Sequence, residues 1–289
     1  MSVPDTLETR LRAAMPDLTR MERQLAAHIL SNFPVSALGS VASVARAAQV
    51  SSPTVIRMVK KLGFDGFPEF QAQLHAELGE RLASPLSKHD KWAGAKPDDH
   101  ILNVFAEKMI ENVNATLRHQ DPVGFDAAAD LLSDRERHIY MIGGRLTRSV
   151  ADYMATALQV MRQDVTLLSS LPNTWPPAVL DMRAGDLVIA FDIRRYEPSI
   201  LQMVELARDQ NADVVLITDR WVSPAASFAQ HILPCHVEAP SAWDSLVPLV
   251  AIVEALLAAV QQRSWNETSD RLQRLEALYD RTRLFKRLR

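Results

Sequence analysis

Two short segments of the sequence, each just after an apolar run, contain residues that could bind an anionic ligand. The first segment follows HIYMI and the second follows DLVIAF. Guanidinium groups would bind carboxylate or phosphate through paired hydrogen bonds, while carboxylate and phenol groups would orient ligand hydroxyls. The side chains concerned are Arg145, Asp192, Arg194, Arg195 and Tyr196. In an alternative interpretation the arginines pair with Asp192, Glu197 or a neighbouring subunit, as surface charges usually do.

A second set of residues has the types and spacing expected of a DNA-binding helix. Residues 40–64 contain basic side chains and no Asp or Glu. Ser51 is predicted to cap a helix, and Pro53 fits the first turn of that helix, where a missing N–H costs nothing. The buried stripe predicted for this helix consists of Val55, Met58, Val59 and Leu62. The remaining side chains would then lie on an open face.

The predicted DNA-binding residues are Ser52, Pro53, Thr54, Arg57, Lys60 and Lys61. The polar residues near the start of the helix would reach base edges in the major groove, and the lysines would meet phosphates. The alternative is an amphipathic surface helix whose basic face is solvated. Small residues in the preceding helix, the capped turn and the absence of acidic residues favour DNA binding.

The elements that would position these two sets differ in kind. Apolar residues recur at helical spacing in the first eighty or so residues, whereas five β-branched runs alternate with helical patterns after residue 98. We therefore predict an all-α helix-turn-helix domain followed by an α/β domain with a doubly wound parallel sheet. The predicted limits are 1–82 for the DNA-binding domain, 83–97 for a linker without regular structure, and 98–289 for the α/β domain, which ends in an amphipathic helix over Trp265–Arg289. Such sheets bind ligands beyond the carboxyl ends of their strands.

Composition limits the class of protein. A net charge of -3 excludes coating of nucleic acid through bulk positive charge, so any DNA contact is local. A single cysteine, Cys235, excludes an internal disulfide framework and a cysteine-based metal cluster. On a strand, His231 and Cys235 would face away from His236, so these three cannot share a metal. We expect no cofactor, no bound metal, no membrane contact and no secretion signal, and thus a cytoplasmic location.

Part of the sequence resembles a known family. The stretches LTRMERQLAAHILSNF and ASVARAAQVSSPTVIRMVKKLGFDGFPEF, within about residues 15–80, closely resemble the N-terminal domain of the RpiR/MurR family of bacterial regulators. The C-terminal part of that family is a flavodoxin-like sugar isomerase (SIS) domain that binds phosphosugars, and the strand and helix order of residues 98–262 is similar. The resemblance therefore implies a transcription regulator with a helix-turn-helix domain and a SIS domain.

The resemblance adds residues to the predicted ligand site. SIS domains hold phosphate with a glycine-rich turn after the first strand and a Ser/Thr-rich loop after the third. Gly143 and Thr147 match the first pattern and Gly144 accompanies them, but Arg145 stands at a usual glycine. The second loop, residues 192–199, lacks the Ser-Gly-Thr pattern. The resemblance thus implies an anionic ligand without fixing it as a phosphosugar.

Three function classes follow from these patterns. The preferred one is a regulator whose SIS domain binds a sugar phosphate or another anionic carbohydrate-related effector and alters binding to a double-stranded operator. It would act as a homodimer or homotetramer, because paired helix-turn-helix units read two-fold operators. The second is a phosphosugar isomerase with an accessory helical domain, for which Asp192, Glu197 and Glu254 are candidate bases outside any recognisable motif. The third is a scaffold that only oligomerises.

Overall fold

A computed structural model describes residues 6–31, 33, 35–82, 85–93 and 100–283. The described part of the chain divides into two compact units, with the boundary between residues 90 and 91. The helices before this division are α1 (Leu7–Ala14), α2 (Arg20–Ser31), α3 (Val41–Ala47), α4 (Ser52–Lys61) and α5 (Phe67–Leu82), and α6 (Pro85–Ala93) crosses it. The apolar faces of α1 to α5 meet in one core that includes the fully buried Leu25, Ile29, Met58 and Phe70. The helical fold predicted for this part is confirmed.

The helix-turn-helix is formed by α3 and α4. Gln49, in the turn, has a left-handed backbone with a φ of 55°, and the N–H of Val50 donates to the carbonyl of Ala45. Ser51 caps α4 as predicted, since its hydroxyl accepts from the N–H of Thr54 at 3.4 Å. α4 ends at Lys61, and Gly63, two residues later, has a φ of +88° that favours glycine.

An ion pair between a half-exposed lysine and a buried glutamate joins α4 to α2. The Nζ of Lys61 lies 2.8 Å from Oε2 of Glu22, whose side chain is 2% exposed. The same carboxylate accepts a hydrogen bond from the N–H of Thr19, just before α2. Burial raises the pKa of Glu22, but the hydrogen bonds from Lys61 and Thr19 outweigh it and leave the pKa below its usual value. The carboxylate therefore stabilises the position of α4 in its charged form.

The segment expected to be a linker contains a helix. Residues 85–93, PLSKHDKWA, form α6, with Pro85 in its first turn and with no glycine or β-branched residue in its interior. Helix propensity thus prevails in a stretch that lacks clear periodicity. Residues 83–84 and 94–97 of the expected linker lie outside the described residues, and the predicted domain limits stay a prediction.

The second unit contains a parallel sheet. Its strands are β1 (Ile139–Gly143), β2 (Val165–Leu167), β3 (Leu187–Asp192), β4 (Asp213–Asp219) and β5 (His231–Cys235). They lie in the order β2-β1-β3-β4-β5, so the strand order reverses between β1 and β3. Gly143 pairs with Phe191 and Asp192 with Thr218, which brings the loops after β1, β3 and β4 to one edge. This edge is where doubly wound sheets bind ligands.

Helices cover both faces of the sheet. The helices of this unit are α7 (Ile101–Arg118), α8 (Pro122–Ser133), α9 (Arg148–Met161), α10 (Pro176–Asp181), α11 (Pro198–Asp209), α12 (Val247–Arg263) and α13 (Trp265–Thr282). Side chains alternate along β1, so that Met141 packs with α8, α9 and α12, while Ile142 packs with α10 and α11. The predicted doubly wound fold is confirmed.

The last described helix is α13. It lies against α9, and Arg271 of α13 donates to the carbonyl of Gln159. Residues 284–289, which the sequence analysis included in this helix, lie outside the described residues. No single helix in the described ranges has the length and apolar composition of a membrane span, and α12 and α13 satisfy that test only as a pair bent by 100°.

The Glu22 pair yields a prediction about stability. Glu22→Gln should lower the free energy of unfolding near neutral pH by about 1–3 kcal/mol, because a charge-assisted bond to a buried carboxylate is lost. Since the pKa of Glu22 is lowered, the native protein gains this stability above the pKa of the unfolded chain and loses it as pH falls through the native pKa. The difference should therefore shrink in acid, as measured by urea unfolding with far-ultraviolet circular dichroism.

Glu8→Gln is the matched control, because Glu8 pairs with Arg12 at 2.9 Å on the exposed surface of α1. Its loss should change stability by no more than about 0.5 kcal/mol. Equal effects of the two substitutions at neutral pH would contradict the assigned role of Glu22.

Candidate functional site

The open face of α4 is mostly polar and basic. Pro53, Arg57 and Lys60 are exposed, and Ser52 is partly exposed. No acidic residue interrupts this face, because α4 contains none. A helix of this kind can lie in a major groove with its side chains towards the bases and phosphates. These four residues occupy the surface that the sequence predicted.

The prediction was wrong for the position of Thr54. This residue is 3% exposed, and its hydroxyl lies 2.9 Å from the hydroxyl of Ser51. It also accepts from a guanidinium nitrogen of Arg57 at 3.2 Å. Thr54 sits three residues after the cap, where a short hydroxyl side chain turns back towards the capping residue. It therefore supports Ser51 and Arg57 from beneath the open face.

Two further observations change the predicted surface. Lys61 is half exposed, but its ammonium group is bound to Glu22, so its charge is already paired within the unit. Ile56 is 41% exposed and lies four residues from both Ser52 and Lys60, which places it in the middle of the open face. Ile56 was not among the residues predicted for this face, although helical spacing alone would have placed it there.

The turn after β1 permits close backbone approach. A Cβ on Gly143 would lie 2.7 Å from the backbone nitrogen of Arg148, so only glycine fits this position. Thr147 is 3% exposed, and its hydroxyl donates to the carbonyl of Phe191 at 2.9 Å. The hydroxyl of Thr147 therefore connects the turn to β3, instead of facing solvent as a ligand-binding group would.

The loop after β3 is organised around a buried carboxylate of β4. Asp219 is 0% exposed and accepts from the N–H of Arg194 at 2.6 Å, the hydroxyl of Tyr196 at 2.9 Å and the N–H of Trp221 at 2.9 Å. Burial raises the pKa of Asp219, and these three hydrogen bonds partly offset that rise. Tyr196 thus points its hydroxyl into the protein, towards Asp219.

Asp192, at the end of β3, is a second buried carboxyl group. It is 2% exposed, and it accepts from the hydroxyl of Ser223 and, at 3.3 Å, from the N–H of Glu197. Burial raises the pKa of Asp192 to about 7; these hydrogen bonds act against the rise, and the negative charges of Asp219 and Glu197 add to it. Asp192 therefore holds the loop from within.

The guanidinium of Arg194 is not free for a ligand, contrary to the prediction. Arg194 is 9% exposed, its Nε donates to Asp244 at 3.1 Å, and its guanidinium carbon lies 4.0 Å from the centre of the Trp221 ring. Neither interpretation of the sequence named Asp244, which lies fifty residues further along the chain. The hydroxyl of Ser245, next to it, accepts from the N–H of Val247 at 3.2 Å, where α12 begins.

Arg145 and Arg195 differ from Arg194, because both are exposed. Among the described residues, neither guanidinium has an ion-pair partner. Arg195 has a left-handed backbone with a φ of 64°, between two residues whose groups point inward to Asp219. Two of the three predicted arginines are thus available at the carboxyl edge of β1 and β3.

The structure brings one further residue to this edge. Glu197 Oε1 accepts a hydrogen bond from the backbone N–H of Arg145 at 2.6 Å, and a Cβ on Gly144 would lie 2.7 Å from the same oxygen. Gly144 therefore leaves room for this carboxylate against the turn. The roles predicted for Glu197 were a base or a partner of arginine side chains, because a bond to a backbone N–H leaves no pattern in sequence.

Comparisons with known families agree with the two-part organisation. Residues 6–81 match the helix-turn-helix domain of the rpiR family, and residues 131–259 match the SIS domain. The transcriptional regulator HexR of Pseudomonas aeruginosa is 26% identical over 215 residues, which are 72% of each chain. Both resemblances noted in the sequence are thereby confirmed.

Solved structures give the same result for the fold. The sugar isomerase domain of an RpiR transcription factor from Sphaerobacter thermophilus has a TM-score of 0.58 and 26% identity, and the match covers 61% of this chain and 97% of that one. The NanR protein of Vibrio vulnificus, in complex with ManNAc-6P, has a TM-score of 0.57 and 20% identity, with 96% and 99% of the two chains covered. At that identity the second match shows the fold alone.

The raised pKa of Asp192 yields a prediction. Between the pKa of an unfolded aspartate, about 3.9, and the native pKa of about 7, the native protein binds more protons, so stability falls as pH rises. An asparagine side chain at this position would be neutral throughout and similar in shape. Asp192→Asn should therefore gain stability relative to the wild type across this window, by up to about 1.4 kcal/mol per pH unit.

The measurement is urea unfolding at several pH values. Asp209→Asn is the matched control, because Asp209 is exposed at the end of α11, and its stability difference should not follow this trend. A constant difference between Asp192→Asn and the wild type would show that Asp192 does not titrate with a raised pKa.

Proposed function

We propose that this chain, which combines a helix-turn-helix domain of the rpiR family with a SIS domain, binds operator DNA through α4 under the control of an anionic effector. The DNA-binding part of this proposal, called the DNA half below, rests on α4. This helix is capped, contains no acidic residue and exposes Pro53, Ile56, Arg57 and Lys60. Arg57 would read a base edge, and Lys60 would meet a phosphate. Ile56 would contact a thymine methyl group.

The effector half rests on the edge where the strand order reverses. Arg145 and Arg195 are exposed there on adjacent loops, and paired guanidiniums suit a phosphate or carboxylate. The effector is then a sugar phosphate or another anionic carbohydrate-related metabolite. ManNAc-6P, which is present in the NanR complex, belongs to this class. Coupling of about 1–3 kcal/mol between the two sites would change operator affinity about 5- to 150-fold.

The assembly follows from the same premise. Residues 1–82 would read DNA and residues 98–289 would bind effector and oligomerise, with 83–97 between them. A cytoplasmic homodimer or homotetramer would present two α4 helices to a two-fold operator.

An isomerase is the weaker candidate, because each candidate base already accepts a hydrogen bond within the protein. Asp192 is buried and bonded to Ser223, and Glu197 accepts from the backbone of Arg145. Glu254 lies 3.2 Å from the hydroxyl of Tyr153 on the surface of α9 and α12. A general base must reach the proton that it abstracts, so these positions favour a sensor over an enzyme.

The DNA half predicts separate effects on specificity and affinity. Arg57→Ala and Ile56→Ser should relax base preference, whereas Lys60→Ala should weaken binding to all DNA and reduce the salt slope by about 1. The measurement is selection of genomic fragments by the purified protein, followed by salt-dependent equilibrium binding to the enriched fragments.

Arg281→Ala removes the same charge from the end of α13 and should change neither property. If Arg57→Ala and Lys60→Ala have the same effect, the assigned roles are wrong. Absence of enrichment under every condition would overturn the DNA half of the proposal.

The effector half predicts that ligand response depends on two arginines. A panel of sugar phosphates and sugar acids should contain a compound that raises thermal stability and alters fragment enrichment, since a ligand of the native state stabilises it. Arg145→Ala and Arg195→Ala should bind that compound about 10- to 100-fold more weakly, because each loses charge-assisted hydrogen bonds. Arg183→Ala is the control, because Arg183 is exposed and precedes β3, at the opposite edge of the sheet. Equal binding by all three variants would contradict the assigned site.

A further inference from the structure

The turn after β1 already holds an anionic group of the protein itself. Oε1 of Glu197 accepts the backbone N–H of Arg145 at 2.6 Å, in the turn that leads into α9. The carboxylate lies against Gly144, where a Cβ would come within 2.7 Å of it. Backbone N–H groups ahead of a helix are a common binding place for phosphate and carboxylate groups. Glu197 therefore occupies the position that the anionic group of an effector would use.

The rest of the loop is held by other contacts. The N–H of Arg194 and the hydroxyl of Tyr196 are bonded to Asp219, and the N–H of Glu197 itself is bonded to Asp192. These bonds do not depend on where the side chain of Glu197 points. Rotation of that side chain would expose the N–H of Arg145 and leave the backbone of the loop in place.

We propose that Glu197 is an internal competitor of the effector, which must displace its carboxylate from the N–H of Arg145 in order to bind. This inference rests on the effector site proposed above. Exposed Arg145 and Arg195 would receive the charge of the entering group. The apparent affinity is then reduced by the fraction of molecules in which Glu197 is displaced.

The competition also narrows the ligand class. A neutral sugar gains nothing at an N–H that already binds a carboxylate, and a sugar acid offers only a group equivalent to the one it replaces. A phosphate ester carries about -1.5 to -2 charges at neutral pH and three strong acceptor oxygens. Displacement of Glu197 weakens every ligand that binds this N–H by the same factor, so only ligands with a strongly bound anionic group, such as sugar phosphates, retain a useful apparent affinity.

Inorganic phosphate and acetate are suitable probes, because the effector need not be known. Calorimetric titration of the full chain should show phosphate binding more tightly than acetate. Glu197→Gln keeps the size and acceptor oxygen but removes the charge, so phosphate affinity should rise about fivefold, and Glu197→Ala should raise it further. Glu205→Gln, at an exposed position of the same helix α11, should match the wild type.

The amide resonance of Arg145 in protein labelled with [15N]arginine reports the place of binding. Phosphate should shift it in the wild type, and Glu197→Ala should shift it before any phosphate is added. If phosphate shifts the Arg145 resonance but binds equally to the wild type and both Glu197 variants, the proposed competition is wrong. The proposed effector site is not contradicted by that result. A resonance that responds to phosphate in none of the variants would overturn the effector site itself.

Discussion

The buried carboxylate of Asp219 is the constraint on which the proposed effector site at the sheet edge depends. A carboxylate that leaves water without hydrogen-bond donors costs several kcal/mol, so the loop after β3 must supply them. The N–H of Arg194 and the hydroxyl of Tyr196 do so from positions two apart in sequence. Arg195, between them, has a left-handed backbone and an exposed side chain. Because Arg194 and Tyr196 supply hydrogen bonds to Asp219, the side chain of Arg195 between them is left exposed to solvent or to a ligand.

The register of the sheet determines which residues lie next to the loop after β3. Gly143 is paired with Phe191, so the turn after β1 and the loop after β3 leave the sheet side by side. The N–H of Gly144 and the hydroxyl of Thr147 both donate to the carbonyl of Phe191, and the N–H of Arg145 donates to Glu197. The bonds to Phe191 involve buried residues and are part of the fold, whereas the bond to Glu197 involves partly exposed groups. The bond to Glu197 can therefore be exchanged for a ligand without disturbing the core.

Local patterns in the sequence were sufficient for the strands and for α4, because β-branched runs and a capped amphipathic helix depend on neighbouring residues. The burial of Thr54 is also local, and the spacing from Ser51 to Thr54 would have indicated it. The partners of Arg194 and Glu197 could not be predicted, because one is a side chain fifty residues away and the other is a backbone N–H. The sequence thus placed the candidate residues at the carboxyl edge of the sheet, where they lie in the structure, while the division between paired and free groups required the structure.

The two candidate sites differ in the arrangement of their charged groups. On α4, Arg57 and Lys60 face solvent and the helix itself contains no acidic residue, so an approaching polyanion is attracted by charge alone. At the sheet edge the carboxyl groups of Asp192 and Asp219 lie beneath two exposed arginines. A pKa of about 7 leaves Asp192 partly protonated at neutral pH, which lowers the negative charge under the loop. In the proposed mechanism an anion binds there only after it displaces the carboxylate of Glu197 from the N–H of Arg145, whereas α4 attracts a polyanion directly.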